Sequence, residues 1–148
     1  MFDSILVPVD GSEHAKQAVD VACHLLKKEG LSKVYLLHVP EVLGYKTTMV
    51  WGLGVVNPES TLAEREQAGE TLLEKASVFA TQAGAPQVER LLVSGDPARV
   101  ILDVAKANSV DAIVMGSRGL SDLGSVMIGS VSHKVSHAAK CSVITVRN

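Results

Sequence analysis

Short apolar runs alternate with segments of helical periodicity along this chain of 148 residues, and that alternation constrains the fold more than any other feature. Five aliphatic runs predict strands: Ser4–Val9, Val34–Val39, Val88–Val93, Ala112–Met115 and Ser142–Val146. Four helices are predicted between them, starting at the N-cap Ser12, after Pro58, at the N-cap Asp96 and near Ser130. Because hairpin signals are missing between the strands, the order predicts a parallel sheet with helical crossovers.

The composition agrees with a buried parallel sheet. Hydrophobic residues make up 47% of the chain and aromatic residues only 3%, so the core must consist mainly of Val, Leu, Ile and Ala. We expect one domain over residues 1–148, with a three-layer α/β/α fold and a five-stranded parallel sheet. If the first strand is central and the fourth is its neighbour across the reversal, the fold is Rossmann-like with the strand order 3-2-1-4-5. In such folds a ligand lies beyond the carboxyl ends of the strands, where the strand order reverses.

Glycines punctuate the segment between the fourth strand and the last helix. Gly116 and Gly119 are followed, after nine residues, by Gly129 and Ser130. Glycines let main-chain N–H groups approach an anion, and a helix N-terminus adds unpaired donors, so this order is typical of a phosphate-binding loop. The spacing of these glycines matches neither the P-loop motif nor the dinucleotide-binding fingerprint. A surface loop with glycines in ordinary turns stays open as an alternative.

Asp10 follows the first strand and is expected at the same sheet edge as the glycine segment. A carboxylate there can bind a ribose hydroxyl or help to hold a metal ion, but Asp10-Gly11 is equally suited to a simple turn into the first helix. The second strand ends at His38-Val39, where main-chain groups could contact a base edge and Val39 could form an apolar wall.

Charge and hydropathy exclude several classes of function. The net charge is −2 without a basic block, which argues against nucleic acid as a partner. The apolar runs are too short to span a bilayer, and the first residues predict a strand rather than a signal peptide. Cys23 and Cys141 lie in periodic apolar segments and are expected to be reduced, packed thiols of a cytoplasmic protein. His133 and His137 lack a third ligand and are expected to be surface or packing residues.

The chain resembles the universal stress protein family over nearly its whole length. The resemblance rests on segments at the ends of the first four strands and at the start of the last helix: Ile5–Ser12, Leu37–Val39, Gly95–Pro97, Val114–Gly119 and Gly129–Ser132. The ATP-binding branch of that family is marked by G-x2-G-x9-G-[ST], and every element of this motif is present.

The resemblance implies an ATP site. Asp10 would lie at the ribose and Val39 at the adenine. Pro8 and Val9 would line the base pocket, and Met115 and Gly116 would flank the nucleotide. The triphosphate would be held, largely by main-chain N–H groups, by Arg118, Gly119, Gly129, Ser130 and Val131, with Ser132 as an additional donor. Since Arg118 is the only cation inside the loop, we expect Mg²⁺ or Mn²⁺ to share the phosphate charge.

The resemblance also implies a homodimer in which the last strand pairs with its mate, with a higher oligomer left open. The favoured function is a cytoplasmic, ATP-binding regulatory module of the stress response that acts on an unidentified partner protein. The alternatives are a slow ATPase or nucleotidyl-transfer enzyme on the same site, and a dimeric interaction protein with a vestigial site. No catalytic residue is assigned. The segment 40–57, which contains Trp51, is expected to be a flap or an interface, or else an ordinary crossover loop.

Overall fold

The computed structural model describes residues 1–10, 12–40, 61–117 and 130–147. Within these ranges the chain forms five strands and four helices in strict alternation. In chain order they are β1 (Ser4–Pro8), α1 (Glu13–Leu25), β2 (Lys33–His38), α2 (Leu62–Gln82), β3 (Gln87–Leu92), α3 (Pro97–Ala107), β4 (Ala112–Gly116), α4 (Ser130–Ala138) and β5 (Ser142–Val146).

The five strands form one parallel sheet in the order β3-β2-β1-β4-β5, which confirms the predicted topology. β1 is central, and the chain runs outward from it in one direction through β2 and β3 and in the other through β4 and β5. The reversal of strand order therefore lies between β1 and β4. The strands match the predicted runs to within a residue or two at their ends.

Two apolar clusters cover the two faces of the sheet. Ile5 and Val7 of β1 pack with buried residues of α1 and α2, whereas Leu6 packs on the opposite face with residues of α3 and α4. Successive side chains of a strand point to opposite faces, so one central strand supplies both clusters. The result is a three-layer arrangement of helices, sheet and helices.

Polar caps and glycines set the helix ends. The side chains of Ser12, Thr61 and Asp96 each accept a main-chain hydrogen bond in the first turn of the helix that follows. Gly84 follows α2 with φ of +104°, a conformation that side-chain-bearing residues rarely adopt. No helix within the described residues combines the length and apolar character needed to cross a membrane.

Candidate functional site

The carboxyl ends of β1, β2 and β4 meet at one edge of the sheet, on both sides of the reversal point. This edge brings together nine of the residues predicted from the sequence: Pro8, Val9, Asp10, Val39, Met115, Gly116, Ser130, Val131 and Ser132. Arg118, Gly119 and Gly129 lie outside the described residues, as does most of the segment 40–57.

The strands on either side of the reversal part towards their carboxyl ends. β1 pairs with β2 at five positions, from Ser4 to Pro8, but with β4 only at Ile5 and Leu6. β4 itself continues to Gly116, in register with β5. We call the space between residues 8–10 and residues 115–117 the edge crevice.

Pro8 explains why the pairing of β1 with β4 stops. Main-chain groups of successive strand residues point alternately to the two neighbouring strands. The Val9 N–H donates to the Leu37 carbonyl of β2 (2.7 Å), so the main chain at Pro8 faces β4. Proline has no N–H to donate there. The β1–β4 ladder therefore lacks a donor where the crevice begins.

The walls of the edge crevice differ in chemistry. Val39 and Met115 belong to the apolar cluster on the α3/α4 face of the sheet. Val9 is only 2% exposed, its side chain belongs to the opposite cluster, and its N–H and carbonyl are bonded to Leu37 and His38, so Val9 shapes this edge from within. The half-buried Val39 and the buried Met115 make this side of the crevice apolar, which suits a planar, heteroaromatic ligand.

Asp10 forms the turn that leads into α1. Its Oδ1 accepts the Ser12 N–H (2.9 Å), and Ser12 Oγ in turn accepts the Ala15 N–H (3.1 Å). The carboxylate is half-buried, and this turn fixes its position at the end of β1. Asp10 therefore forms the turn that was one of its two predicted roles. Its carboxylate, fixed by that turn, is also placed to accept hydrogen bonds from a ligand in the crevice.

The first turn of α4 is tied to the end of β4. The Ser132 side chain is buried, and its hydroxyl donates to the Gly116 carbonyl at 2.7 Å. The Ser117 N–H donates to the Val146 carbonyl of β5 at 2.9 Å. These two bonds hold both ends of the glycine segment, while Ser130 at the helix start is exposed.

The side chain of His38 is a component of this edge, although the sequence pointed only to main-chain groups at His38-Val39. It is 1% exposed, and its Nδ1 lies 2.7 Å from the Val9 carbonyl oxygen. Burial lowers the pKa of the imidazole, although the bond to Val9 and the nearby Asp10 carboxylate oppose this shift. The only signal in the sequence was one titratable residue at the end of an otherwise apolar run.

Among the residues that the structure describes, the other titratable groups form no second site. The rings of His133 and His137 lie 4.8 Å apart on α4, and within the described ranges no three His, Cys, Asp or Glu residues are grouped as metal ligands. Cys23 and Cys141 are free. Burial raises the pKa of the Cys23 thiol to about 11, as expected for a packed rather than a reactive cysteine.

Comparison with known proteins identifies the family. The model of the universal stress protein family matches residues 1–147. The chain belongs to this family. Over 151 aligned residues it is 39% identical to universal stress protein YxiE of Bacillus subtilis (strain 168), with 99% of this chain and 100% of YxiE covered. It is 36% identical to a universal stress protein of Thermus aquaticus, with the same coverage.

Solved structures share the fold of this family member. Hypothetical protein MJ0577 superposes with a TM-score of 0.75 at 25% identity, covering 100% of this chain and 97% of its own. A universal stress protein in complex with cAMP matches with a TM-score of 0.67 at 23% identity, covering 99% and 97%. The universal stress protein from Archaeoglobus fulgidus in complex with dAMP matches with a TM-score of 0.65 at 24% identity, covering 97% and 96%.

Proposed function

We propose that this protein is an ATP-binding regulatory module, and that nucleotide occupancy of the edge crevice alters its oligomer or a partner-binding surface. The observation that carries the proposal is the parting of β1 and β4 at the reversal point, directly before a glycine-punctuated segment and a helix start. The cAMP and dAMP complexes of other proteins with this fold support an adenine nucleotide as the ligand class.

The described residues suggest how the base and sugar would bind. Val39 and Met115 would provide the apolar wall for adenine, with Pro8 and Val9 lining the base pocket beside it. Asp10 would accept a ribose hydroxyl. Gly116 would flank the nucleotide, and the phosphates would be held by Arg118, Gly119, Gly129, Ser130 and Val131, chiefly through main-chain N–H groups. Hydrogen bonds to charged groups contribute about 1.5–3 kcal/mol each, so a few of them with adenine burial are consistent with micromolar affinity, roughly −8 kcal/mol.

Ser132 has a different role in this proposal from direct phosphate binding. Its only hydroxyl hydrogen is donated to the Gly116 carbonyl, so it is not available to a phosphate oxygen while that bond persists. We assign Ser132 to holding the first turn of α4 against the end of β4, which fixes where the loop begins and where the helix donors point.

A divalent cation would arrive with the nucleotide. No ready-made cluster of three ligating side chains exists among the residues that the structure describes. Mg²⁺ is commonly held by substrate phosphates and one or two carboxylates, and Asp10 is the carboxylate at this edge. Mg²⁺ or Mn²⁺ would neutralise part of the triphosphate charge, and the protein would bind the complex rather than the free ion.

Regulation fits the described edge better than rapid catalysis. Phosphoryl transfer needs a positioned water and charge stabilisation around the γ-phosphate. Asp10 and His38 lie at the strand ends, where the base and ribose are placed, and the His38 ring is enclosed in the core. We therefore assign no catalytic residue and expect at most weak ATP hydrolysis. With both cysteines free and packed, a reducing, cytoplasmic setting is part of the same proposal.

Isothermal titration with ATP·Mg²⁺, and separately with AMP and cAMP, tests the proposal. We expect saturable binding with a dissociation constant of about micromolar order for ATP·Mg²⁺. Gly119→Val should abolish the triphosphate-dependent part of the affinity and leave the ligand-free melting temperature unchanged. Absence of heat for all three nucleotides at high protein concentration would refute nucleotide binding, and full ATP affinity in Gly119→Val would refute the loop's role.

A further inference from the structure

His38 joins three elements at a buried point next to the edge crevice. Its Nδ1 is 2.7 Å from the carbonyl oxygen of Val9, the residue that precedes Asp10. Its ring also lies against Gly69 in the middle of α2: a methyl group built on Gly69 would be 2.6 Å from His38 Cδ2 and 3.1 Å from Nε2. The imidazole therefore links the end of β1 to α2.

The contacts define the tautomer of this ring. A carbonyl oxygen can only accept, so Nδ1 must carry the hydrogen that is shared with Val9. Nε2 then holds a lone pair. It is buried and has no hydrogen-bond partner in the described part of the chain. A second proton on Nε2 would place an unpaired N–H against α2, which disfavours the charged form of the ring.

The imidazole occupies the place of a main-chain donor. The Val9 N–H donates to the Leu37 carbonyl of β2. In a regular parallel ladder between β1 and β2, the next hydrogen bond would run from the Val39 N–H to the Val9 carbonyl. Here the His38 side chain donates to that carbonyl. The end of β1 is thus held to β2 by a side chain, just where its ladder with β4 also stops.

The glycine in α2 is explained by the same ring. Glycine is unfavourable inside a helix relative to alanine, and Gly69 lies at an interior position of α2. Alanine at this position would collide with the His38 ring, as the distances show. Residue 69 must therefore remain small so that the imidazole can reach the Val9 carbonyl.

We propose that His38 is a positioning residue of the nucleotide site: it holds the Val9 carbonyl and thereby sets the direction in which Asp10 leaves β1. Gly69 supports this role by leaving room for the ring. The inference rests on the proposed function of the edge crevice, but its structural part concerns the ligand-free protein. His38 touches neither the ribose nor the phosphates in this proposal.

Two substitutions of His38 separate positioning from packing. His38→Asn keeps an N–H donor near the place of Nδ1, whereas His38→Leu fills apolar space and leaves the Val9 carbonyl without its donor. We expect ATP·Mg²⁺ affinity about tenfold weaker in His38→Leu and within about twofold of wild type in His38→Asn. Asp111→Ala is the matched control, because it weakens main-chain contacts at the opposite edge of the sheet and should leave affinity unchanged.

Spectra of the ligand-free protein provide a readout that does not depend on nucleotide. Imidazole ¹⁵N correlations should show hydrogen on Nδ1 at neutral pH. The Asp10 amide resonance should move in His38→Leu and stay near its wild-type position in His38→Asn. Equal ATP affinity in wild type and His38→Leu, or hydrogen on Nε2, would overturn the positioning role.

A wild-type protein that binds no nucleotide would refute the proposed function instead. In that case the Asp10 amide resonance alone would test whether His38 sets the direction of Asp10. A resonance that does not move in His38→Leu would overturn this claim.

Gly69→Ala tests the inference from the other side of the ring. Alone, it should weaken ATP·Mg²⁺ binding about as much as His38→Leu, because the displaced ring loses the Val9 carbonyl. Combined with His38→Asn, whose side chain is shorter, the same methyl group should weaken binding much less, because its remaining close contact is Leu92 Cδ1 at 3.0 Å, the tip of a flexible side chain. A Gly69→Ala protein with unchanged affinity and an unchanged Asp10 resonance would contradict the proposal.

Discussion

At the scale of single residues, two buried side chains set the geometry of the candidate site by binding main-chain carbonyls. His38 holds the end of β1 through Val9, and Ser132 holds the end of β4 through Gly116. A buried carbonyl that loses its partner incurs the full desolvation penalty. These side chains therefore affect the crevice without lining it.

Ser132→Ala should reduce both stability and nucleotide affinity. Loss of the bond to the Gly116 carbonyl should lower the free energy of unfolding by about 1–2 kcal/mol. Because the loop start is then less well fixed, ATP·Mg²⁺ affinity should fall severalfold, which calorimetry can measure. Asp111→Ala, with a similar loss of stability at the amino edge, should keep its affinity. An unchanged affinity in Ser132→Ala would indicate that the loop is fixed by other contacts.

The buried imidazole should make stability depend on pH. The folded-state pKa of His38 is lowered below its ordinary value, so between these values the unfolded chain binds more protons than the folded one. Its stabilising contribution is complete above the unfolded pKa of about 6.5 and is lost as the pH falls through the folded pKa. Urea unfolding at pH 7.5 and pH 5 should show a larger drop for wild type than for His38→Asn. Equal drops would contradict this assignment.

The sequence predicted where these residues lie but not the roles of the His38 and Ser132 side chains. Asp10, Val39 and Met115 could be located because the carboxyl ends of parallel strands share one edge. The roles of His38 and Ser132 depend on carbonyl groups 29 and 16 residues away in the chain. No local pattern records such a partner, so only the folded structure could reveal them.

At the scale of elements, the crevice results from the different lengths of two ladders. β1 and β2 stay paired to Pro8, whereas β1 and β4 are paired only at Ile5 and Leu6. Strand alternation and apolar runs predict a parallel sheet, whereas the order 3-2-1-4-5 also required the assumption that the first strand is central and the fourth is its neighbour. The point where the β1–β4 ladder stops could not be predicted in this way. It depends on whether the main chain at Pro8 faces β2 or β4, and only the register of the strands shows that.

Pro8→Ala should narrow the edge crevice. It restores an N–H on the side of β1 that faces β4, so a further ladder bond can form. A ligand would then have to break that bond, at a cost of about 1 kcal/mol, and ATP·Mg²⁺ affinity should fall about fivefold. Slow hydrogen exchange at the amide that the substitution introduces, lost on adding nucleotide, would support this. A fast-exchanging amide with wild-type affinity would show that proline does not keep the strands apart.

At the scale of the whole molecule, β5 is a sheet edge that could pair with a second copy. The Val146 carbonyl accepts from Ser117 beside β4, so by alternation Ile144 faces β4 and Thr145 faces outward. A homodimer through this edge is our proposal for the assembly, since an unpaired strand edge favours pairing.

Thr145→Pro should convert such a dimer into a folded monomer. It removes an outward donor and leaves the ladder with β4 intact. Ile144→Pro is the matched comparison, because it removes an inward donor and should destabilise the sheet itself. Light scattering coupled to size-exclusion chromatography measures the mass, and circular dichroism checks the fold. A folded Thr145→Pro protein with dimeric mass would place the interface elsewhere.

The central claim is that an adenine nucleotide binds at the carboxyl edge between β1 and β4. The most direct test is an amide chemical-shift titration of the ¹⁵N-labelled protein with ATP·Mg²⁺. The account predicts the largest shifts at Asp10, Val39 and Ser130, with little change at Asp111 and Ser142 at the opposite edge of the sheet. Absence of shifts at millimolar ATP·Mg²⁺, or shifts centred on that opposite edge, would contradict it.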